Sequence, residues 1–192
     1  MTDLNLAKQY LTNSIDSLEL CGENLENIIL ISEIIRNSFE TGKKLFFCGN
    51  GGSAAQSQHL AAEFCGRFLK ERPGLPALSL TTDTSAITAI GNDYGYDEVF
   101  SRQISALGNA NDILIGISTS GKSLNIIKAF EAAKVKDIRT VALVGPETTD
   151  LSRIADYTIH CRAKNTNFIQ EQQFVLGHML CYLVEKNMEF TE

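Results

Sequence analysis

Apolar residues between positions 3 and 20 fall at Leu4, Leu6, Tyr10, Leu11, Ile15 and Leu18, the spacing of an amphipathic helix. Residues 23–41 repeat the rhythm through Leu25, Ile28, Ile29, Ile31, Ile35 and Phe39. Gly42 then stands where a helix C-cap is expected. A helical pair over residues 1–42 is therefore predicted, to pack on the rest of the chain or on a partner subunit. After residue 43 the rhythm changes. Short apolar runs at 45–48, 77–80, 113–117 and 139–144, and a weaker one at 157–161, read as strands. Helical stretches at about 53–68, 123–134 and 167–188 alternate with them. Strands this apolar are covered on both faces, so the pattern predicts an α/β fold with a parallel sheet flanked by helices. No repeat, low-complexity tract or linker interrupts it, and residues 1–192 are expected to form a single domain.

Charge narrows the classes. Against 23 acidic residues stand 17 basic ones, a net charge of −6. A field of that sign repels nucleic acid and anionic membranes, and neither is expected as a partner. No apolar run approaches the ~20 residues of a spanning helix. The first residues lack the basic and apolar regions of a signal peptide, so a cytoplasmic location is expected. The five cysteines are odd in number, widely spaced and without a C-x-x-C pair, and they read as small buried hydrophobes.

In open parallel sheets, ligands bind beyond the carboxyl ends of the strands. The turns there are Gly49 to Ser53, Thr81 to Asp83, Ser118 to Ser123, and Gly145 to Thr148. Ser118, Thr119, Ser120 and Ser123 place four hydroxyls at a strand–turn–helix junction. With the N–H groups and positive dipole end of the helix, they suit a phosphate monoester. A plain N-cap needs only one hydroxyl. A rival reading exists, because Gly116 to Ser123 spells the P-loop pattern G-x-x-x-x-G-K-[ST]. A P-loop NTPase also needs an acid at a neighbouring strand end, for which Asp83 is the candidate. That reading leaves the first glycine-rich turn without a role.

His59 and Glu63 share one helix face at i,i+4. Gln170 and His178 lie eight residues apart on the last helix, about 80° around its axis. Two imidazoles, a carboxylate and an amide oxygen could complete a zinc site. The plainer alternative is a surface His–Glu pair and a core histidine. His160 reads as structural and Asp93 as a turn cap, while Arg67 suits either a helix-end cation or a substrate clamp.

The stretches CGNGGSAA from Cys48, QHLAAE from Gln58, RPGLPA from Arg72, AIGNDYGY from Ala89, GISTSGKS from Gly116 and IQE from Ile169 resemble the sugar isomerase (SIS) superfamily. They resemble in particular its isomerases of a seven-carbon sugar phosphate. The resemblance implies a flavodoxin-like fold with a five-stranded sheet, and a homotetramer built partly by the first helices, with sites at subunit interfaces. It implies an enediolate route from sedoheptulose 7-phosphate to D-glycero-D-manno-heptose 7-phosphate, feeding heptose to cell-surface polysaccharide. By it, His59, Glu63, Gln170 and His178 are zinc ligands, with Glu63 the base and His178 the acid. Asn50, Gly51, Gly52, Ser53, Arg67, Asn92, Asp93 and Gln170 line the sugar phosphate, and Ser118, Thr119, Ser120 and Ser123 hold its phosphate. A sister group in the superfamily is non-catalytic and binds the replication initiator DnaA. It lacks the counterparts of Glu63 and His178, which this chain has. Two positions depart from the family pattern: Lys122 stands where Asn is usual, and Phe168 where Arg is usual.

Overall fold

The computed structural model describes residues 1–190. Strand β1 (Leu45–Gly49) is buried at every position, as only a strand covered on both faces can be. It pairs in parallel with β2 (Ala77–Ser79) on one side and β3 (Ile113–Ser118) on the other. Strands β4 (Arg139–Val144) and β5 (Tyr157–His160) continue the sheet in the order β2-β1-β3-β4-β5, all parallel. This is the flavodoxin-like order, and its switch point lies between β1 and β3.

Side chains alternate across the sheet with period two. Leu45, Phe47, Ile113, Ile115 and Val141 face one layer, and Phe46, Cys48, Leu114 and Ala142 face the other. The first layer is covered by α2 (Leu25–Glu40), α3 (Gly52–Cys65) and α8 (Thr166–Asn187), the second by α5 (Ser101–Leu107) and α6 (Leu124–Val135). Gly42 ends α2 as expected: its N–H donates to the Phe39 carbonyl, and that of Lys43 to the Ser38 carbonyl, at 2.9 Å each. Four cysteines are buried, but Cys65 is exposed, its thiol donating to the Ala77 carbonyl.

Three helices escape the periodicity. Helix α4 (Thr84–Tyr94) buries no residue, while α5 and α7 (Asp150–Ile154) are too short to show a stripe. Asn92 and Asp93 therefore lie in α4, and Asp93 is not the turn cap that the sequence suggested.

Helix α1 (Asp3–Glu19) forms where expected, yet Leu4, Leu6, Tyr10, Leu11 and Ile15 are all more than half exposed. It is tied to α8 by polar contacts instead. The Tyr10 hydroxyl donates to Glu171 Oε1 at 3.0 Å and the Ser14 hydroxyl to Glu171 Oε2 at 2.5 Å. The Phe168 ring packs 5.3 Å from that of Tyr10, an aromatic contact between α8 and α1.

Helix α3 stops at Cys65, short of the expected 68, because the following loop turns back to cap it. Arg72 Nη2 donates to the Glu63 carbonyl (2.8 Å) and Nη1 to those of Phe64 (2.9 Å) and Gly66 (3.2 Å), carbonyls left open at the helix end. Arg72 Nε also donates to buried Glu185 of α8 at 2.9 Å. Glu185 accepts three backbone N–H groups as well, from Phe68, Leu69 and Lys70. Burial pushes its carboxyl up, but these donors and Arg72 together hold it below the ordinary glutamate range. Replacing Arg72 by Met strands a buried carboxylate and is expected to cost about 3–5 kcal/mol in urea denaturation. A loss under about 1 kcal/mol would refute the clamp. Because the folded-state pKa is lowered, the contribution of Glu185 is full above its unfolded value of about 4.3 and fades as pH falls through the folded value. The stability gap between wild type and Glu185→Gln is expected to hold at neutral pH and shrink below about pH 4.

Candidate active site at the contact of α3 and α8

The turn from β1 into α3 requires Gly51, whose φ of +56° is costly for any residue with a Cβ. Two turns along α3, Leu60 meets Gly177 of α8. A methyl on Gly177 would stand 2.7 Å and 2.8 Å from the two Leu60 δ-carbons, so any larger residue there requires the Leu60 side chain to shift. The neighbours of these residues in sequence are His59 and His178. Their Nε2 atoms lie 2.9 Å apart, and Glu63 Oε1 lies 3.2 Å from His59 Nε2. One ligand atom from each of the three groups falls within 4.8 Å of the others. Phe174 packs 4.7 Å from both imidazoles, and Phe68 lies 5.5 Å from His178. Burial pushes the His178 imidazole below its ordinary pKa, His59 adds to this, and Glu63 opposes it.

The triad fits a metal. Only one proton can sit between two nitrogens at 2.9 Å, so at least one of the two Nε2 atoms carries a lone pair that a cation could take. The lowered basicity of His178 keeps its nitrogen available to a cation. An N,N,O set with room for further ligands suits catalytic zinc. Gln170 lies two turns before His178 on α8, but its amide packs over the glycine-rich turn: a Cβ on Gly52 would meet Gln170 Nε2 at 2.8 Å. Its backbone carbonyl accepts from Gln56 Nε2 at 2.8 Å, a further tie between α3 and α8. Gln56, Gln170 and Phe174 share a cavity of about 510 Å³ with Ser14, Asn167 and Glu171.

The hydroxyl turn follows β3. Ser118 Oγ accepts the Gly121 N–H at 3.1 Å and lies 3.2 Å from Ser123 Oγ. Ser120 Oγ accepts the Lys122 N–H at 3.3 Å. Ser123 occupies the N-cap position of α6, but its side chain makes no capping bond, so plain capping does not explain the hydroxyls. A reciprocal amide pair joins this turn to the first: Asn50 and Asn125 each donate to the other at 2.9 Å, and the Tyr96 hydroxyl donates to Asn50 Oδ1 at 3.1 Å. Asn50 thus braces the two turns. Gly51 and Gly52 are exposed beside it, and Ser53 is buried at the start of α3.

Other expected residues make only local contacts. Arg67 is exposed and sits 3.6 Å from Glu71. Asn92 donates to Asp93, and both are exposed. His160 Nδ1 lies 3.0 Å from the Gly145 carbonyl, the structural role foreseen for it. The P-loop reading does not hold. Gly116 lies in mid-strand, paired with Cys48 and Ala142, and a Cβ there would meet Phe130 at 2.6 Å and Ile126 at 2.7 Å. Its lack of a side chain serves sheet–helix packing, not phosphate. Asp83 caps α4 by accepting the Ala86 N–H at 2.9 Å.

Asn125, Tyr96, Phe174 and Gln56 were not singled out from the sequence. Phe174 carried a signal, since it lies four residues before His178 on one helix face. Asn125 carried another, as a polar residue amid Leu124, Ile126 and Ile127.

Comparison with known proteins places the chain in a family. The SIS domain family model matches residues 9–145. The chain belongs to the SIS-domain family. Within it, the chain is 48% identical over 182 residues to the phosphoheptose isomerase of Aneurinibacillus thermoaerophilus, covering 93% of this chain and 92% of that one. It is 51% identical over 167 residues to that of Sulfurimonas denitrificans, covering 86% of each. The fold matches the solved structure of the Neisseria gonorrhoeae phosphoheptose isomerase with a TM-score of 0.90 at 38% identity, over 96% of this chain and all of that one. For the Francisella tularensis phosphoheptose isomerase the TM-score is 0.92 at 35% identity, over 97% of this chain and all of that one.

In metal-free protein, an NMR pH titration is expected to place the His178 midpoint below the ordinary 6.5. A midpoint at or above 6.5 would show that the imidazole is not enclosed as described.

Proposed function

We propose that this protein interconverts sedoheptulose 7-phosphate and D-glycero-D-manno-heptose 7-phosphate as an aldose–ketose isomerase. The observation that carries the reading is the convergence of His59, Glu63 and His178 on one point. The non-catalytic, initiator-binding alternative has no use for that cluster. Sequence identity near 50% to phosphoheptose isomerases over most of the chain supports the enzyme reading.

In the proposed reaction Glu63 removes a proton from C1 of the open-chain ketose, leaving an enediolate, and returns it at C2. His178, a neutral imidazole, moves the second proton between O1 and O2. His59 orients Glu63 through the 3.2 Å contact. The Ser118, Thr119, Ser120 and Ser123 hydroxyls hold the phosphate, the turn at Asn50, Gly51, Gly52 and Ser53 lines the sugar, and the 510 Å³ cavity gives room beside it. His59, Glu63 and His178, joined by Gln170, would hold zinc, which when bound polarises the carbonyl and lowers the cost of the oxyanion.

We read the whole chain as one functional unit acting as a homotetramer. The uncovered apolar face of α1, together with exposed Leu25, Ile29 and Leu30, supports assembly. Arg67, Asn92 and Asp93, free of the local site, would complete a neighbour's pocket. Free thiols throughout suit a reducing cytoplasm. Among the described residues no helix is long and apolar enough to cross a membrane.

Glu63→Gln is expected to lower turnover of sedoheptulose 7-phosphate at least about a hundredfold while the substrate still binds. In D2O the wild type is expected to place deuterium at C2 of the product wherever the proton on Glu63 exchanges with solvent before its return. Near-normal turnover in the variant would remove Glu63 from the role of base.

A further inference from the structure

A phosphate monoester held by the hydroxyls and N–H groups of the Ser118–Ser123 turn meets no full positive charge from them, in a chain whose net charge is −6. Hydroxyls and backbone N–H groups orient a dianion but leave its charge uncompensated. The structure offers a remedy on the open side of the same turn. Thr119 and Ser120 line a cavity of about 200 Å³ together with Lys122, Glu147 and Lys164. Lys122 comes from the turn itself, and Lys164 from the segment between β5 and α8. Among the described residues neither ammonium lies within 4.0 Å of a carboxylate oxygen, although each stands on a predominantly acidic protein. Two cations and one carboxylate leave the cavity lining with one net positive charge.

We infer that Lys122 and Lys164 are phosphate-binding residues, supplying the charge that the hydroxyl turn lacks. The inference rests on the proposed sugar-phosphate reading and deepens it. The two lysines act as point charges rather than as a planar fork, so they tolerate rotation of the phosphate while the hydroxyls fix it. They sit at the far end of the substrate from the proton-transfer groups. Their contribution is equal in the ground and transition states, which lowers KM and leaves kcat unchanged.

The test uses the full-length protein. Lys122→Gln and Lys164→Gln are each expected to raise KM for sedoheptulose 7-phosphate about fivefold or more, and the double variant further, with kcat within about twofold of wild type. Lys122→Arg is expected to recover most of the loss, which a purely structural role for the ammonium would not predict. Added salt is expected to raise KM more steeply in the wild type than in the double variant. Both side chains are exposed, and unchanged circular dichroism and melting temperature would confirm folding. A KM within twofold of wild type in the double variant would overturn the inference. Direct titration with inorganic phosphate separates it from the isomerase reading. If the wild type turns over no heptose phosphate but binds phosphate more tightly than the double variant, the lysine site stands and the proposed reaction falls. Equal phosphate affinity in both proteins would overturn the lysine site.

Discussion

The site depends on how closely two helices approach. Leu60 on α3 seats against a glycine on α8, and the residues next to that contact are the two histidines. With Cβ to Leu distances of 2.7 Å and 2.8 Å, a side chain at position 177 would press on Leu60, the neighbour of His59 in α3. The approach is held from one end by the Arg72–Glu185 clamp and from the other by Gln56 on the Gln170 carbonyl. The clamp also caps the helix turn that bears Glu63. One buried guanidinium therefore serves the end of α3, the seating of α8 and the placement of Glu63.

The fold sets the hydroxyl turn after β3 beside the glycine-rich turn from which α3 starts. Strand order reverses between β1 and β3, so the turns leaving these strands open side by side. The Asn50–Asn125 amide pair then locks them together. Helix α3 starts from one of these turns and carries His59 and Glu63 away from it, which in the proposed reaction separates the anchored end of the substrate from its reacting end. Anchoring at one end and proton transfer at the other is how remote binding can position a reacting carbon.

Much of this was legible in the residues. Strands β1, β3 and β4 announced themselves because doubly buried strands are apolar without interruption. The i,i+4 spacing of His59 and Glu63 fixed a shared face before any coordinates. The meeting of His59 with His178 was not legible from spacing alone, since it is a tertiary contact made across Gly177, a glycine with no turn or cap to draw notice. Helix α4 was missed because it buries nothing and so carries no stripe. The α1 stripe was legible, and of its two expected packing partners the chain itself covers little of that face. The P-loop pattern misled for a related reason: Gly116 is a glycine for packing against Phe130, and a string of letters does not distinguish that from phosphate contact.

The dependence of chemistry on helix approach is open to a compensation experiment. Turnover of sedoheptulose 7-phosphate should be measured for Gly177→Ala alone and for Gly177→Ala combined with Leu60→Ala, which vacates the space the new methyl needs. The single substitution is expected to reduce kcat about tenfold or more, and the pair to regain most of it. Full turnover in the single variant would contradict the claim that this contact sets the distance between the two imidazoles.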